Sequence, residues 1–163
     1  MNVIYEPKGR AREYSELACN LYLGCTHGCR YCYAPACMRT TDEKWHAAAR
    51  PRSKVIELLE KDARNLRGDQ RRILFCFLSD PYQPLEREKR LTREALGVVY
   101  ANGLKSQILT KGCAELIQSD MDLMKKADTH LGITLSFIDD AKRKEWEPHA
   151  SSVSDRLEIL KRA

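Results

Sequence analysis

Three cysteines fall within eight residues of a ten-residue stretch that also contains two glycines. Their spacing is C-x-x-x-C-x-x-C, and the stretch reads Gly24-Cys25-Thr26-His27-Gly28-Cys29-Arg30-Tyr31-Cys32-Tyr33. Three thiolates can hold three irons of a [4Fe–4S] cluster, which usually takes four cysteine ligands. The fourth iron is then open to a small molecule, so this spacing favours chemistry on a bound ligand over plain electron transfer. Gly24 and Gly28 allow the backbone to approach a cofactor closely, because glycine tolerates positive φ.

Two other interpretations of these cysteines stay open on the residues alone. The first is a set of buried or redox-inert thiols, because free cysteine is among the most buried residue types. The glycines and polar neighbours of this stretch are unlike those of a core strand or helix. The second is a zinc site with Cys37 or His27 as the fourth ligand. Structural zinc sites usually draw ligands from two separated pairs, however, and the chain has no second C-x-x-C.

The composition of the whole chain predicts one globular domain. Of its 163 residues 43% are hydrophobic and 31% are charged, and the length is sufficient for a hydrophobic core. No apolar run approaches the length of a membrane span, and the N-terminus lacks a signal pattern. Seven cysteines without an export signal fit a reducing compartment, so we predict a cytoplasmic protein. Solvated helix faces are the favoured interpretation of the net charge of +5, and a nucleic-acid surface is the alternative.

Short apolar runs alternate with segments of helical periodicity about four times. The runs predict strands over residues 17–23, 73–78, 107–110 and 131–136. The periodic segments predict a helix capped by Ser53, a helix capped by Thr92, a helix around residues 121–124 and a helix from Asp155. Residues 1–16 are expected to be an extended lead-in, and residues 34–50 a continuation of the cysteine loop. This alternation predicts an α/β fold with a parallel sheet.

Polar side chains stand at the end of each predicted strand. The cysteine stretch follows the first strand, Ser79 and Asp80 follow the second, Lys111 follows the third, and Ser136 ends the fourth. In parallel α/β sheets and barrels, ligands bind at the edge formed by the carboxyl ends of the strands. The four strand ends therefore predict one cofactor pocket.

The cysteine spacing, with an aromatic residue just before the third cysteine, resembles the cluster loop of the radical S-adenosylmethionine (SAM) superfamily. The likeness extends to its spore photoproduct lyase-like, or DNA repair photolyase-like, branch and covers nearly the whole chain in order. It is carried by residues 20–34, 79–86, 91–93 and 109–111 and by Glu147-Pro148. The resemblance implies a partial (βα) barrel of the radical SAM type. Residues 1–163 would be the N-terminal portion of its core domain, apparently truncated, with about four βα units.

The resemblance also implies an activity and a set of site residues. The activity is that of a lyase-like radical SAM enzyme, which cleaves SAM with a [4Fe–4S] cluster to generate a 5′-deoxyadenosyl radical. Its partners are SAM, an external electron donor and a substrate that the sequence does not identify. Nucleic acid is the class favoured by the branch and by the mild positive charge. The metal ligands would be Cys25, Cys29 and Cys32. The cofactor-binding set would be Tyr31 beside the adenine, Ser79 and Lys111 near the amino-acid part of SAM, Ser136 near the ribose, and Asp80.

The sequence departs from this branch in two respects. In spore photoproduct lyase, a cysteine two residues before the matching serine returns a hydrogen atom to the product radical. That position here is Phe77, and strand alternation is expected to turn the adjacent Cys76 into the core, away from Ser79. Repair of spore photoproduct is therefore not predicted.

The second departure concerns length, because the last strands of the family barrel are missing from this sequence. The fourth predicted strand would then be an exposed edge, which a second chain could complete.

Two alternative functions stay open. One is a non-catalytic iron–sulfur or SAM-binding fragment that needs a second polypeptide. The other is a zinc-stabilised nucleic-acid-binding domain.

Overall fold

Four parallel strands form most of a five-stranded sheet in the computed structural model, which describes residues 2–162. In chain order the strands are β1 (Ile4–Tyr5), β2 (Leu17–Cys19), β3 (Tyr22–Leu23), β4 (Arg50–Pro51), β5 (Arg72–Phe75), β6 (Lys105–Thr110) and β7 (His130–Ile133). The order across the sheet is β1-β2-β5-β6-β7. Strands β2, β5, β6 and β7 are parallel, and β1 is antiparallel to β2. Strands β3 and β4 form a separate antiparallel pair.

Helices lie between the strands and, towards the C-terminus, after β7. They are α1 (Ala34–Cys37), α2 (Asp42–Ala47), α3 (Val55–Asn65), α4 (Glu86–Lys89), α5 (Leu91–Ala101), α6 (Ala114–Lys126), α7 (Asp140–Trp146) and α8 (Val153–Arg162), with a 3-10 helix at Gly9–Glu13. The crossover helices α3, α5 and α6 each bury one apolar face. In β5, Ile73, Leu74 and Phe75 are fully buried, as is typical of a central strand covered on both faces. The predicted α/β fold with a parallel sheet is confirmed.

The first predicted strand, residues 17–23, is wrong as a single element. Strand β2 ends at Cys19, and Tyr22 and Leu23 pair with β4 instead. The break lies at Asn20, whose side-chain Oδ1 accepts hydrogen bonds from the backbone N–H groups of Phe77 at 3.0 Å and Leu78 at 3.1 Å. A side chain that bonds the neighbouring backbone replaces the ladder at this point, and the chain turns toward the cysteine loop.

Two segments expected to lack regular structure contain short elements. Within residues 1–16, β1 is attached to α3, because Asp62 Oδ2 accepts from the N–H groups of Val3 at 2.6 Å and Ile4 at 3.0 Å. Within residues 34–50 lie α1 and α2. Thr41 caps α2, since its Oγ1 accepts from Lys44 N at 3.3 Å.

The predicted caps at Ser53 and Thr92 are also wrong. Helices α3 and α5 follow Lys54 and Arg90, each with a φ of +53°, and neither helix has a side-chain cap. The Thr92 hydroxyl donates instead to the Pro81 carbonyl at 2.6 Å. Strand β7 ends at Ile133, so Ser136 lies in the loop after it, and helix α7 was not expected from the sequence.

One buried carboxylic acid gives the fold a pH dependence. Glu86 is fully buried, its Oε1 accepts from Thr92 N at 2.6 Å, and its Oε2 accepts from the Tyr22 hydroxyl. Burial raises the pKa of Glu86 from its ordinary value of 4.5 to about 7. The folded state therefore binds this proton more tightly than the unfolded state does.

We expect Glu86→Gln to flatten the dependence of stability on pH. The stabilising contribution of protonated Glu86 is fully present below pH 4.5 and is lost as pH rises through about 7, which amounts to about 3 kcal/mol. Glutamine has no proton to lose and can still bond Tyr22 and Thr92. Urea unfolding of both proteins at pH 5 and pH 8 checks this. If the stability of the two proteins changes equally between these pH values, Glu86 does not titrate as described.

Candidate active site

The loop that carries the three cysteines is a tight turn between β3 and α1. Gly24 and Gly28 have φ values of +83° and +67°, which favour glycine. A Cβ at Gly24 would lie 2.2 Å from the Ala48 carbonyl oxygen, so no larger residue fits there without a shift of the backbone. Cys32 N donates to Cys29 O at 3.1 Å, which closes the turn that brings these two cysteines together.

Polar side chains from distant segments hold the loop backbone in place. The fully buried Gln83 accepts from Thr26 N at 3.1 Å through Oε1 and donates to Gly24 O at 3.4 Å through Nε2. His46 Nδ1 lies 2.7 Å from Cys25 O. We did not predict these supporting residues from the sequence. A polar side chain in a segment without periodicity gives no sign of the distant backbone that it bonds.

Asp80 connects the ends of two strands to the cysteine loop. Its Oδ1 accepts from Tyr82 N at 2.8 Å and from the Thr110 hydroxyl at 2.5 Å, and its Oδ2 accepts from Lys111 N at 2.7 Å. The same Oδ2 lies 3.5 Å from Nδ1 of the buried His27. Burial is the main reason that the pKa of His27 lies below its ordinary value. Asp80 remains a predicted cofactor contact, with its oxygens engaged by the protein.

Burial also controls the protonation of the three cysteines. It raises the pKa of Cys25 to about 12 and that of Cys29 to about 11, and it raises the pKa of Cys32 as well. Without a metal these groups are thiols at neutral pH. A metal binds thiolates, so binding releases their protons.

The strand ends and the cysteine loop enclose a cavity of about 250 Å³. Its wall contains all three cysteines of the loop and four of the five predicted cofactor contacts, namely Tyr31, Ser79, Asp80 and Lys111. Ser136 lies beside this set, with its Oγ 2.9 Å from the Tyr31 hydroxyl oxygen. The structure therefore brings the residues of the four strand ends together, although their contacts with a cofactor stay predictions.

Tyr31 lies at the cavity and is 42% exposed. The Lys111 Nζ lies 5.7 Å from the centre of its ring, and the Phe137 ring lies 6.3 Å away. The Tyr31 hydroxyl donates to Glu147 Oε1. Burial raises the pKa of Tyr31, and the adjacent Glu147 carboxylate raises it further, so the phenol keeps its proton.

The expected orientation of Cys76 needs a correction. Strand β5 ends at Phe75, so strict alternation does not extend to Cys76 and Ser79. Cys76 is a buried core thiol, as expected, but it also contributes to the cavity wall, and burial raises its pKa to about 12 although the Leu21 N–H donates to its Sγ at 3.4 Å. Phe77 lines the same wall.

The other cysteines lie apart from this cavity. Cys19 is buried in β2, Cys37 is exposed at the end of α1, and Cys113 is half-buried with its Sγ 2.9 Å from Arg87 Nη2. Among residues 2–162, no three side chains of His, Cys, Asp or Glu are gathered closely enough to hold a single metal ion. In the same range, no helix combines the length and the hydropathy that crossing a membrane requires.

A comparison with protein families identifies the family of the chain. The family model of the radical SAM superfamily matches residues 19–163. The chain belongs to the radical SAM superfamily.

This radical SAM protein also has relatives among curated proteins. An uncharacterised protein of Methanocaldococcus jannaschii is 31% identical over 144 residues, and the match covers 87% of this chain and 52% of that protein. An uncharacterised protein of Mycobacterium tuberculosis is 26% identical over 149 residues, which cover 86% of this chain and 43% of that protein.

Solved structures share the same fold. A mutant of spore photoproduct lyase with bound AdoMet and dinucleoside spore photoproduct superposes with a TM-score of 0.71 at 18% identity. The superposition covers 97% of this chain and 44% of that one. The chain thus spans about half the length of the relatives and of the solved structure that it matches. This likeness and the parallel sheet together show that the chain has the radical SAM fold.

The residues of the site fit the two cofactors that the superfamily implies. Three cysteines on a glycine-containing loop supply the thiolates that an iron–sulfur cluster requires. They line the same cavity as Lys111, a cation, and Ser79, a hydroxyl group. A carboxylate and polar groups of a small molecule can bind these side chains.

Proposed function

We propose that the protein is a radical SAM enzyme whose cluster is held by Cys25, Cys29 and Cys32. When bound, the cluster supplies the electron that cleaves SAM to methionine and a 5′-deoxyadenosyl radical. The observation that carries the proposal is the convergence of the three thiols with Ser79 and Lys111 on one cavity at the carboxyl ends of parallel strands.

Lys111 is proposed to bind the carboxylate of SAM. Its backbone N–H is held by Asp80 Oδ2, and its Nζ reaches over the Tyr31 ring at the cavity wall. The Asp80 carboxylate is engaged by Thr110 and by backbone N–H groups, so the lysine charge is available to an anionic ligand. Charge-assisted hydrogen bonds of this kind are among the strong ones in proteins.

The two serines of the predicted set are proposed to add hydroxyl contacts. Ser79 lies on the wall and donates a long hydrogen bond of 3.4 Å to Tyr22 O, which a better acceptor on a ligand can replace. Ser136 lies beside the Tyr31 hydroxyl, and we assign it to the ribose. An external electron donor is required, since the chain itself supplies no reducing equivalent.

Nucleic acid is the substrate class that we propose. The net charge is +5, and besides Tyr31 the cavity is lined by three aromatic side chains, Tyr14, Tyr33 and Phe77. Side chains of this type stack on nucleobases in proteins that bind single-stranded nucleic acid. Tyr14 and Tyr33 are more than half exposed. The matched spore photoproduct lyase structure holds a dinucleoside photoproduct. Lyase-like chemistry on nucleic acid is therefore proposed by likeness and surface character.

Production of 5′-deoxyadenosine tests the proposed function. The protein is reconstituted with iron and sulfide under anaerobic conditions, reduced with dithionite and supplied with SAM, and deoxyadenosine is measured by chromatography. We expect about four irons per chain and deoxyadenosine formation that depends on both SAM and reductant. In Lys111→Ala we expect the same iron content and about tenfold weaker SAM binding.

Three results would contradict the proposal. Zinc without iron after anaerobic purification would favour the zinc-stabilised domain. A full iron complement with no binding of SAM would leave only an iron–sulfur fragment. Binding of SAM without cleavage would favour a module that needs a second polypeptide. This alternative is specific because the chain spans only about half the length of the proteins that it matches.

A further inference from the structure

A buried carboxylate lies directly behind Tyr31. Glu147, at the end of α7, is fully buried, and its Oε1 accepts the hydrogen bond from the Tyr31 hydroxyl. Its second oxygen, Oε2, lies 2.7 Å from Nη2 of Arg156, which is also fully buried. Tyr31 sits between the second and third cysteines of the loop. The contact therefore connects the cysteine loop to the C-terminal part of the chain.

The ion pair connects the cysteine loop, through Tyr31, to the segment that follows β7. Arg156 Nη1 donates to Thr134 O at 3.0 Å, just after β7, and Thr134 lines the cavity. Among the described residues, Oε2 of Glu147 and Nη2 of Arg156 have no aligned hydrogen-bond partner, so charge attraction holds them together. Burying two charges costs desolvation energy that such a pair rarely recovers. A contribution to stability is therefore a weak explanation of the pair, and a role in positioning is the alternative.

Glu147 itself is held firmly. Its N–H donates to Arg143 O at 2.6 Å, and Arg143 Nη1 donates to the carbonyls of Glu147 at 3.2 Å and Ala150 at 3.1 Å. The next residues pack on the cysteine loop, because His149 N donates to His27 O at 3.1 Å. The carboxylate that meets Tyr31 is thus presented from a fixed backbone.

We infer that Glu147 is a positioning residue for SAM binding, because it fixes the Tyr31 hydroxyl, and hence the Tyr31 ring, at the cavity wall while Arg156 holds its second oxygen. The inference rests on the proposed function, in which this cavity receives SAM. Glu147 and Arg156 are not among the residues that line the cavity, and they act through Tyr31 and Thr134. A ring held in place beforehand lowers the entropy that a ligand must lose on binding.

Tyr31→Phe in the full chain is the decisive variant. It removes only the hydroxyl and keeps the ring of a partly exposed residue, so it is expected to fold. With iron content unchanged, we expect SAM to bind about fivefold more weakly by calorimetry. The change that SAM causes in the electron paramagnetic resonance spectrum of the reduced protein should require correspondingly more SAM. Tyr100→Phe, at an exposed tyrosine of α5, is the matched control and should bind SAM as the unaltered protein does.

A second variant tests Glu147 without leaving a buried charge unpaired. Glu147→Met combined with Arg156→Met removes both charges and the acceptor of the Tyr31 hydroxyl, and it should also weaken SAM binding about fivefold. Adding Tyr31→Phe to this pair should cost nothing further, because the interaction is already lost. If the double variant does not fold, Tyr31→Phe alone decides.

The outcomes separate this inference from the proposed function. Failure of the unaltered protein to bind SAM would refute the proposed function. If the unaltered protein binds SAM and Tyr31→Phe binds it equally well, the positioning role is wrong. Independent, multiplying effects of Tyr31→Phe and the Glu147/Arg156 variant would also overturn it. Urea unfolding of the apo proteins adds a readout without SAM, in which the same three variants should show a coupling between Tyr31 and Glu147.

Discussion

Replacing Cys25, Cys29 or Cys32 with alanine, one at a time, is expected to abolish the iron–sulfur cluster. Each cysteine supplies the thiolate for one iron. Because the fourth iron has no protein ligand, the cluster cannot lose a further one. The anaerobically reconstituted protein should be brown with about four irons per chain, and each variant should be colourless. The chain should remain folded, because the loop is held by backbone bonds to Gln83 and His46 rather than by metal alone.

The remaining cysteines provide matched controls for this experiment. Cys37→Ala is the sharpest of them, because Cys37 lies five residues after Cys32 and is exposed. Cys113→Ala changes a half-buried thiol outside the cavity. Both should keep the colour and the iron. Loss of the cluster in Cys37→Ala together with its retention in Cys25→Ala would refute the assignment and would revive a site that uses Cys37.

The parallel sheet was predictable because its signal is local. Residues 73–78 form a continuous apolar run that is too short for a helix and ends at polar Ser79. Periodic segments on either side of the run supply the crossover helices that parallel strands require. Four repetitions of this pattern allow few other architectures.

Elements that depend on distant contacts were not predictable. Strand β1 has only two residues, and its position depends on the side chain of Asp62, 58 residues away from Ile4. The starts of α3 and α5 follow Lys54 and Arg90 in a left-handed conformation that few non-glycine residues adopt. A rule based on Ser and Thr caps therefore places both starts wrongly.

The same distinction holds within the site. The residues at the strand ends could be placed around one cavity, because parallel strands end at a common edge. The residues that support them could not be placed in this way. Glu147 was part of the family likeness, yet its contact with Tyr31 spans 116 residues of sequence, and no local pattern encodes it. Sequence reasoning therefore reached the cavity wall but not the residues that hold it.

Supplying the segment that follows in the longer relatives is expected to raise deoxyadenosine production about tenfold or more. Within residues 2–162, β7 has a neighbouring strand on one side only, namely β6. Unpaired N–H and C=O groups along such an edge are a template for another strand. The chain covers about half of the relatives that it matches, so the corresponding region of a relative is the natural partner for this edge.

The physical basis is completion of the site. A strand paired with β7 would add its own carboxyl end to the edge that already carries the cysteine loop, Ser79 and Lys111. Positioning of reacting groups can account for large factors in rate, and a further strand at this edge is expected to improve it. The 163-residue chain alone is therefore expected to be oligomeric or weakly stable, and to bind the cluster while it cleaves SAM slowly.

The experiment compares the 163-residue chain with the same chain fused to the downstream half of a longer relative, and with the two halves mixed as separate chains. Deoxyadenosine per iron is measured so that cluster content does not confound the rates. Light scattering gives the mass of each species, and Cys29→Ala in the fused chain serves as the inactive control. A stable monomer of the 163-residue chain that cleaves SAM as fast as the completed protein would show that β7 needs no partner and that the cavity is already complete.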